Sequence, residues 1–238
     1  MKNRIQFPKT NWFDIKNVTK ESADIYLYDE ISAYVKDNNA TDVVARLQAL
    51  KDVPTLNVRI NSPGGSVFEG MAIFNALTRH PGKVVTHVDG IAASIASVIA
   101  MAGSEINVAD NAMMMIHNPA AFVFGEAGDL RKQADVLDQI KETIINVYTN
   151  RDGDKDDEKR QSRRTKIAKM MDEETWFTAD DAITNKFATN KVSAMKMAAC
   201  FDLKSFGFLK APEQQNQTSY STTPRSLLER KQALLEKK

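Results

Sequence analysis

Two consecutive strand–turn–helix units with short connections govern what this chain can fold into. In TLNVRIN, Thr55 to Asn61, Leu56, Val58 and Ile60 fall on one face and Asn57 and Arg59 on the other, the period of a strand. SPGGSV, Ser62 to Val67, reads as a turn and a helix start. FEGMAIFNAL continues as a helix that ends near His80, Pro81 and Gly82. KVVTHVDG is the next strand, ending at Gly90. It feeds a run of small residues and a second helix in IAASIASVIAMAG, and EINVAD and AMMMIH follow as short strands. Strand, turn and helix repeated with so little connecting chain predicts an α/β fold with right-handed crossovers.

The flanking segments are consistent with this. ADIYLYDEI alternates as a strand, and DVVARLQAL, Asp42 to Leu50, has helical spacing. In GDLRKQADVLDQIKETIINVYTN, apolar residues at 130, 134, 137, 140, 144 and 147 mark a long helix with more apolar surface than one end of a domain needs. Residues 151–166 are almost all charged and read as a solvated loop or helix. Asp152, Asp154 and Asp156 imitate a calcium loop, but Asp157 stands at the required Gly and Arg163 at the required Glu, so no metal site is expected there. A helix is expected from Lys166 to Met171, then strand, helix and strand in ETWFTADDAITNKFATNKV. Three regions result: an N-terminal segment, 1–20; a folded domain, 21–210; and a tail, 211–238. The tail is expected to be disordered apart from a short amphipathic helix over SLLERKQALLEKK, which opens with Ser226 and Glu229 as a capping box.

Composition removes several function classes. A net charge of +1 over 238 residues offers no basic surface for nucleic acid or an anionic membrane. No run reaches the roughly 18 apolar residues of a membrane span, and the start, MKNRIQFPKTNWFD, has no signal-peptide core. The lone Cys200 excludes an internal disulfide and points to a reducing, cytoplasmic setting.

The chemistry concentrates at Ser94. A nucleophilic serine needs a general base and N–H groups aimed where an oxyanion forms. A strand-to-helix turn supplies such donors, and the small Ala92 and Ala93 let a substrate backbone approach. The competing reading is plain packing of a helix start. Gly64 and Gly65 present bare amides before a helix, in a pattern that is neither a P-loop nor a dinucleotide fingerprint. Three histidines are available as base. His80 ends a helix, in a solvated position. His87 lies inside the strand feeding Ser94 and is expected to pack or bond locally. His117 ends the strand MMMIH before Asn118 and Pro119, where it can reach a neighbouring strand end.

INSPGGSVFEGMAIF, GIAASIASVIAMAG and MMMIHNP, in that order, resemble the proteolytic subunit of the Clp protease, and most of all its phage and prophage head maturation branch. The resemblance runs from Asp24 to Val192. It implies a ClpP/crotonase-type fold of repeated strand-strand-helix units with a protruding handle helix, the handle falling on Gly128 to Asn150. It implies a serine endopeptidase with nucleophile Ser94, base His117 and backbone oxyanion donors at Gly65 and Ile95, without cofactor or metal. The third triad position falls on Glu174, where the family carries Asp; Asp172 and Glu173 stand beside it as alternatives. Ser97 occupies a place that is usually small and is read as packing. Thr175 replaces an Arg of ring-to-ring contacts in the ATPase-dependent branch, so the resemblance implies a homo-oligomeric ring while leaving open the ring number and an AAA+ ATPase partner. Protein or peptide substrates follow, among them capsid or scaffold proteins in a host cytoplasm or prohead. Competing readings are an acyl-CoA enzyme of the crotonase type, a Ser-Lys hydrolase, and an inactive ring-forming scaffold.

Overall fold

The structure, a computed structural model, describes residues 12–33, 39–151, 153–194 and 203–212. The expected tail helix from Ser226, Cys200 and Asp152 lie outside the described residues.

Among the described residues, eight strands form one mixed sheet. β1 (Phe13–Lys16) runs antiparallel to β2 (Ser22–Tyr28). The next strands are parallel: β2 on β3 (Thr55–Ser62), and β3 on β4 (Lys83–Ala93). α1 (Ala40–Gln48), α2 (Val67–Thr78) and α3 (Ile95–Ala100) lie between successive strands, as the repeated unit predicts. β4 is the longest strand, and its far edge serves two partners. Val85 to Val88 pair with β5 (Glu105–Ala109), while Ile91 to Ala93 pair with β6 (Met113–Ile116). β6 then pairs antiparallel with β7 (Thr175–Phe177), and β5 with β8 (Asn190–Val192). The sheet thus divides beyond Val88 and sends β6 and β7 toward the end of β4.

β4 reaches Ala93, three residues past the Gly90 boundary expected from the sequence. Gly90 and two alanines resemble a turn in composition, yet Met113 to Met115 pair with this stretch and hold it extended. The chain turns at Ser94 itself.

The core lies between the sheet and its helices. Leu56, Val58 and Ile60 of β3 are fully buried, as alternation predicts, with Ile73 and Leu77 of α2 and every residue of α3. An ionic group sits between the strands: the buried Asp89 takes a 2.7 Å hydrogen bond from the Arg59 guanidinium and another of 2.7 Å from the Tyr28 hydroxyl. Those three side chains join β2, β3 and β4.

α4 (Ala127–Asn150) is buried only toward its C-terminal end, at Ile144, Ile145, Tyr148 and Thr149; Leu130 and Val136 are exposed. The charged run after it is helical: α5 (Asp157–Asp172) is capped by Asp156, whose carboxylate accepts from the Lys159 N–H. Its first turn carries Asp157 and Glu158, which suit the positive end of the helix dipole. The helix starts earlier than the expected Lys166, because capping and charge placement outweigh the missing apolar period; only Ile167 and Met171 are buried. After β7, α6 (Ala179–Thr184) opens with a Thr178–Asp181 capping box. A 3-10 turn, Leu203–Phe206, brings a further segment back against the sheet.

Candidate active site at the end of strand β4

Ser94 stands between β4 and α3 with φ 54° and ψ −129°. A non-glycine residue seldom occupies this region, and holding it there costs about 1–3 kcal/mol. Its surroundings impose the conformation. The Ser94 N–H donates to the Met115 carbonyl at 3.0 Å. The Ser94 carbonyl accepts from the Ser97 N–H at 3.0 Å and from the Ser97 hydroxyl at 2.6 Å. Ser97 does more than the packing expected of it: its buried hydroxyl also lies 2.8 Å from the Tyr148 hydroxyl of α4.

Ser94 is half-buried, with Oγ 2.8 Å from His117 Nε2. His117 follows the last residue of β6, and β6 is registered on the end of β4. Strand pairing therefore brings together two residues 23 apart in sequence. Burial lowers the basicity of His117; the charge of Glu174 acts in the opposite direction, and the net effect holds the imidazole below its ordinary range.

The Gly64–Gly65 turn lies against the same point. A Cβ on Gly64 would come within 2.7 Å of both the Ala93 carbonyl and Ser94 Cβ, and 3.2 Å from the Ile95 nitrogen. Only a glycine lets the two backbones approach so closely, and φ of 95° suits it as well. Gly65, at φ 138°, is solvent-accessible. Its bridge to Ile31 uses the Gly64 carbonyl and the Ser66 N–H, which leaves the Gly65 N–H outside that pairing. Ile95 is the first residue of α3, where an N–H has no carbonyl partner in the helix.

The three acids near the end of α5 have separate surroundings. Asp172 is exposed and binds the Lys141 ammonium and the Asn118 side chain. Glu173 is the C-cap of α5 and lies 3.9 Å from Lys169. Glu174 is buried, at φ 50°, and its charge acts on His117. No hydrogen bond joins Glu174 to His117 among the described residues. The carboxylate accepts instead from the Leu209 N–H and the Lys210 N–H, both at 2.7 Å, and from the Trp176 indole at 3.2 Å. Burial raises its pKa, but these donors outweigh burial and hold it below the ordinary carboxylate range.

The other two histidines are engaged elsewhere. His80 is half-buried rather than solvated: Nε2 is 3.1 Å from the Leu50 carbonyl and Nδ1 accepts the Gly82 N–H. His87 sits within β4, its pKa lowered by burial and then by the nearby Arg59. Sequence reasoning missed Phe208, Leu209 and Lys210. SFGFLK has no periodicity that distinguishes it from a domain end, and main-chain donors leave no trace in residue type. Thr175, in place of the ring-contact Arg, donates to the Met170 carbonyl at 2.7 Å.

Among the described residues, no helix is long and apolar enough to cross a membrane. The family profile of the Clp protease matches residues 8–190. The ATP-dependent Clp protease proteolytic subunit 1 of Leifsonia xyli is 29% identical over 174 residues, covering 71% of this chain and 84% of that protein. The ATP-dependent Clp protease proteolytic subunit of Lobularia maritima is 36% identical over 148 residues, or 60% of this chain and 74% of that one. The chloroplastic proteolytic subunit 1 of Arabidopsis thaliana is 35% identical over 147 residues, with the same coverage. With its eight-stranded α/β sheet and a profile match from residue 8 to residue 190, this chain belongs to the Clp protease family and is a serine protease of the ClpP type.

Proposed function

We propose that the chain is an endopeptidase that cuts peptide bonds through an acyl-enzyme on Ser94. The observation that carries this reading is the 2.8 Å contact between Ser94 Oγ and His117 Nε2 at a strained strand-to-helix turn. Neutral His117 takes the Ser94 proton as Oγ attacks the scissile carbonyl. The N–H groups of Gly65 and Ile95 bind the resulting oxyanion. The imidazolium then gives its proton to the departing amine, and water, activated by the same imidazole, releases the acyl group. Glu174 favours the imidazolium through its charge. No step calls for a cofactor. An acyl-CoA enzyme of the same fold would use two backbone amides but would not need a serine hydroxyl bonded to a histidine.

The assembly is a homo-oligomeric ring, with the first half of α4 in an interface. Leu130 is 46% exposed and Val136 39% exposed on a helix whose buried residues all lie between Ile144 and Thr149. The substrates are structural proteins of a phage or prophage head, capsid or scaffold, cut in the host cytoplasm or prohead. The likeness of the three sequence blocks to the head maturation branch supports this assignment. Turnover of fluorogenic peptides and of phage scaffold protein tests the reading. Ser94→Ala should abolish cleavage while sedimenting as the wild type does. Equal turnover in the two would refute the nucleophile, and a compact wild-type monomer at micromolar concentration would refute the ring.

A further inference from the structure

The acid of the proposed triad is held by chain from outside the stretch that matches the protease family. That match ends at residue 190, whereas the hydrogen bonds to the Glu174 carboxylate come from residues 209 and 210. The segment is seated firmly. Leu203 and Phe208 are buried against Ile91 and Ala93 of β4 and Met115 of β6, the strand ends that carry Ser94 and His117. The Phe208 ring meets the His117 imidazole edge-on, with centroids 5.6 Å apart, and meets Trp176 in the same manner at 5.7 Å. Trp176 in turn donates to Glu174. Phe208 is 9% exposed, whereas Leu209 is 89% exposed. At residue 209 the described contact with the site is therefore the main-chain N–H.

A glutamate needs this support more than an aspartate would. Its longer side chain has one more rotatable bond, and a freely rotating carboxylate spends only part of its time where it can favour an imidazolium. Two backbone N–H donors at 2.7 Å and one indole N–H define the position of both oxygens. We propose that Phe208–Lys210 is a positioning strap of the active site, in which the N–H groups of Leu209 and Lys210 hold Glu174 in place beside His117 while Phe208 packs on the imidazole. This rests on the reading of Ser94, His117 and Glu174 as the reacting groups. The strap touches no substrate and moves no proton. Its effect on rate passes through Glu174.

Proline at 209 or 210 deletes one donor while leaving the side chain of the other residue untouched. Peptide turnover is measured for Leu209→Pro and Lys210→Pro beside Leu209→Ala and Lys210→Ala, with circular dichroism to establish folding. The alanine variants should match wild type. The proline variants should lose about 10- to 100-fold in kcat with KM unchanged. Their pH–kcat profile should shift its acid limb downward, because a less firmly held Glu174 raises the His117 pKa less. In a Glu174→Gln background the proline changes should have no further effect, since their target is already lost. If the proline ring disrupts folding, an ester in place of the Leu209 amide, introduced with the α-hydroxy analogue of leucine, removes the same donor. Folded proline or ester variants with wild-type kcat and profile would overturn the proposal. A rise in kcat would overturn it as well, since the strap would then be blocking the site. If Ser94→Ala itself retained turnover, the serine reading would fail, an outcome distinct from either result for the strap.

Discussion

Gly64→Ala is the sharpest probe of how the turn at the candidate active site is packed. The added methyl would meet the Ala93 carbonyl oxygen and Ser94 Cβ at 2.7 Å, and the Ile95 nitrogen at 3.2 Å. All three atoms belong to backbone or lie next to it, so none can swing away as the end of a long side chain would. Alanine is also unfavourable at φ 95°. A strained φ costs about 1–3 kcal/mol and overpacking about 1–3 kcal/mol. The two overlap, because relieving the clash also changes φ, so the expected loss is about 2–4 kcal/mol. For a chain of this length each kcal/mol lowers Tm by about 2–4 °C. Displacement of Ser94 and Ile95 should also reduce kcat by about 10²-fold. Gly128→Ala is the control: a Cβ there meets nothing within 4 Å, and it lies in a helix, where alanine is better by about 1 kcal/mol. Tm by calorimetry and kcat on a fluorogenic peptide are the readouts. A Gly64→Ala protein within about 2 °C of wild type and equally active would refute the close approach of the two turns.

Three further predictions follow from the site and its support. Glu174→Gln should lower turnover by between about 10²- and 10⁴-fold, while Asp172→Asn and Glu173→Gln should leave it near wild type; the reverse ranking would move the acid role along the chain. The acid limb of the pH–kcat profile should lie below about 6.5, because His117 must be unprotonated and burial lowers its pKa; a limb above that value would contradict the burial seen here. Asp89→Ala should destabilise by about 3–5 kcal/mol, since it removes the carboxylate that Arg59 and Tyr28 both bind between the strands; urea denaturation showing less than about 1 kcal/mol would make that carboxylate a bystander.

The helices and parallel strands that surround the site were legible because each carries its own period. β3 shows strict alternation, and α2 follows a turn rich in glycine. Ser94 and His117 could be named from three separated blocks, and pairing of β6 on β4 explains why residues so far apart in sequence meet. What the sequence concealed depends on partners rather than on residue type. β1 is a four-residue strand in a polar stretch, defined by its pairing with β2. The last residues of β4 are small and turn-like, and pairing with β6 on one side and Ser62 of β3 on the other keeps them extended. α5 has almost no apolar face and begins at a cap. The support of Glu174 comes from backbone N–H groups, which every residue but proline carries, so no pattern of side chains announces it.

The most direct test of the central claim is covalent labelling with a fluorophosphonate, which phosphonylates a serine only where a base and an oxyanion site activate it. Peptide mass mapping of the labelled protein should find the adduct on Ser94, and neither on Ser97 nor on Ser66. The Ser94→Ala and His117→Ala proteins, folded as judged by circular dichroism, should remain unlabelled. An adduct on another serine in the wild type, or a wild-type protein that resists the reagent at every pH where it stays folded, would contradict the assignment of Ser94 as nucleophile.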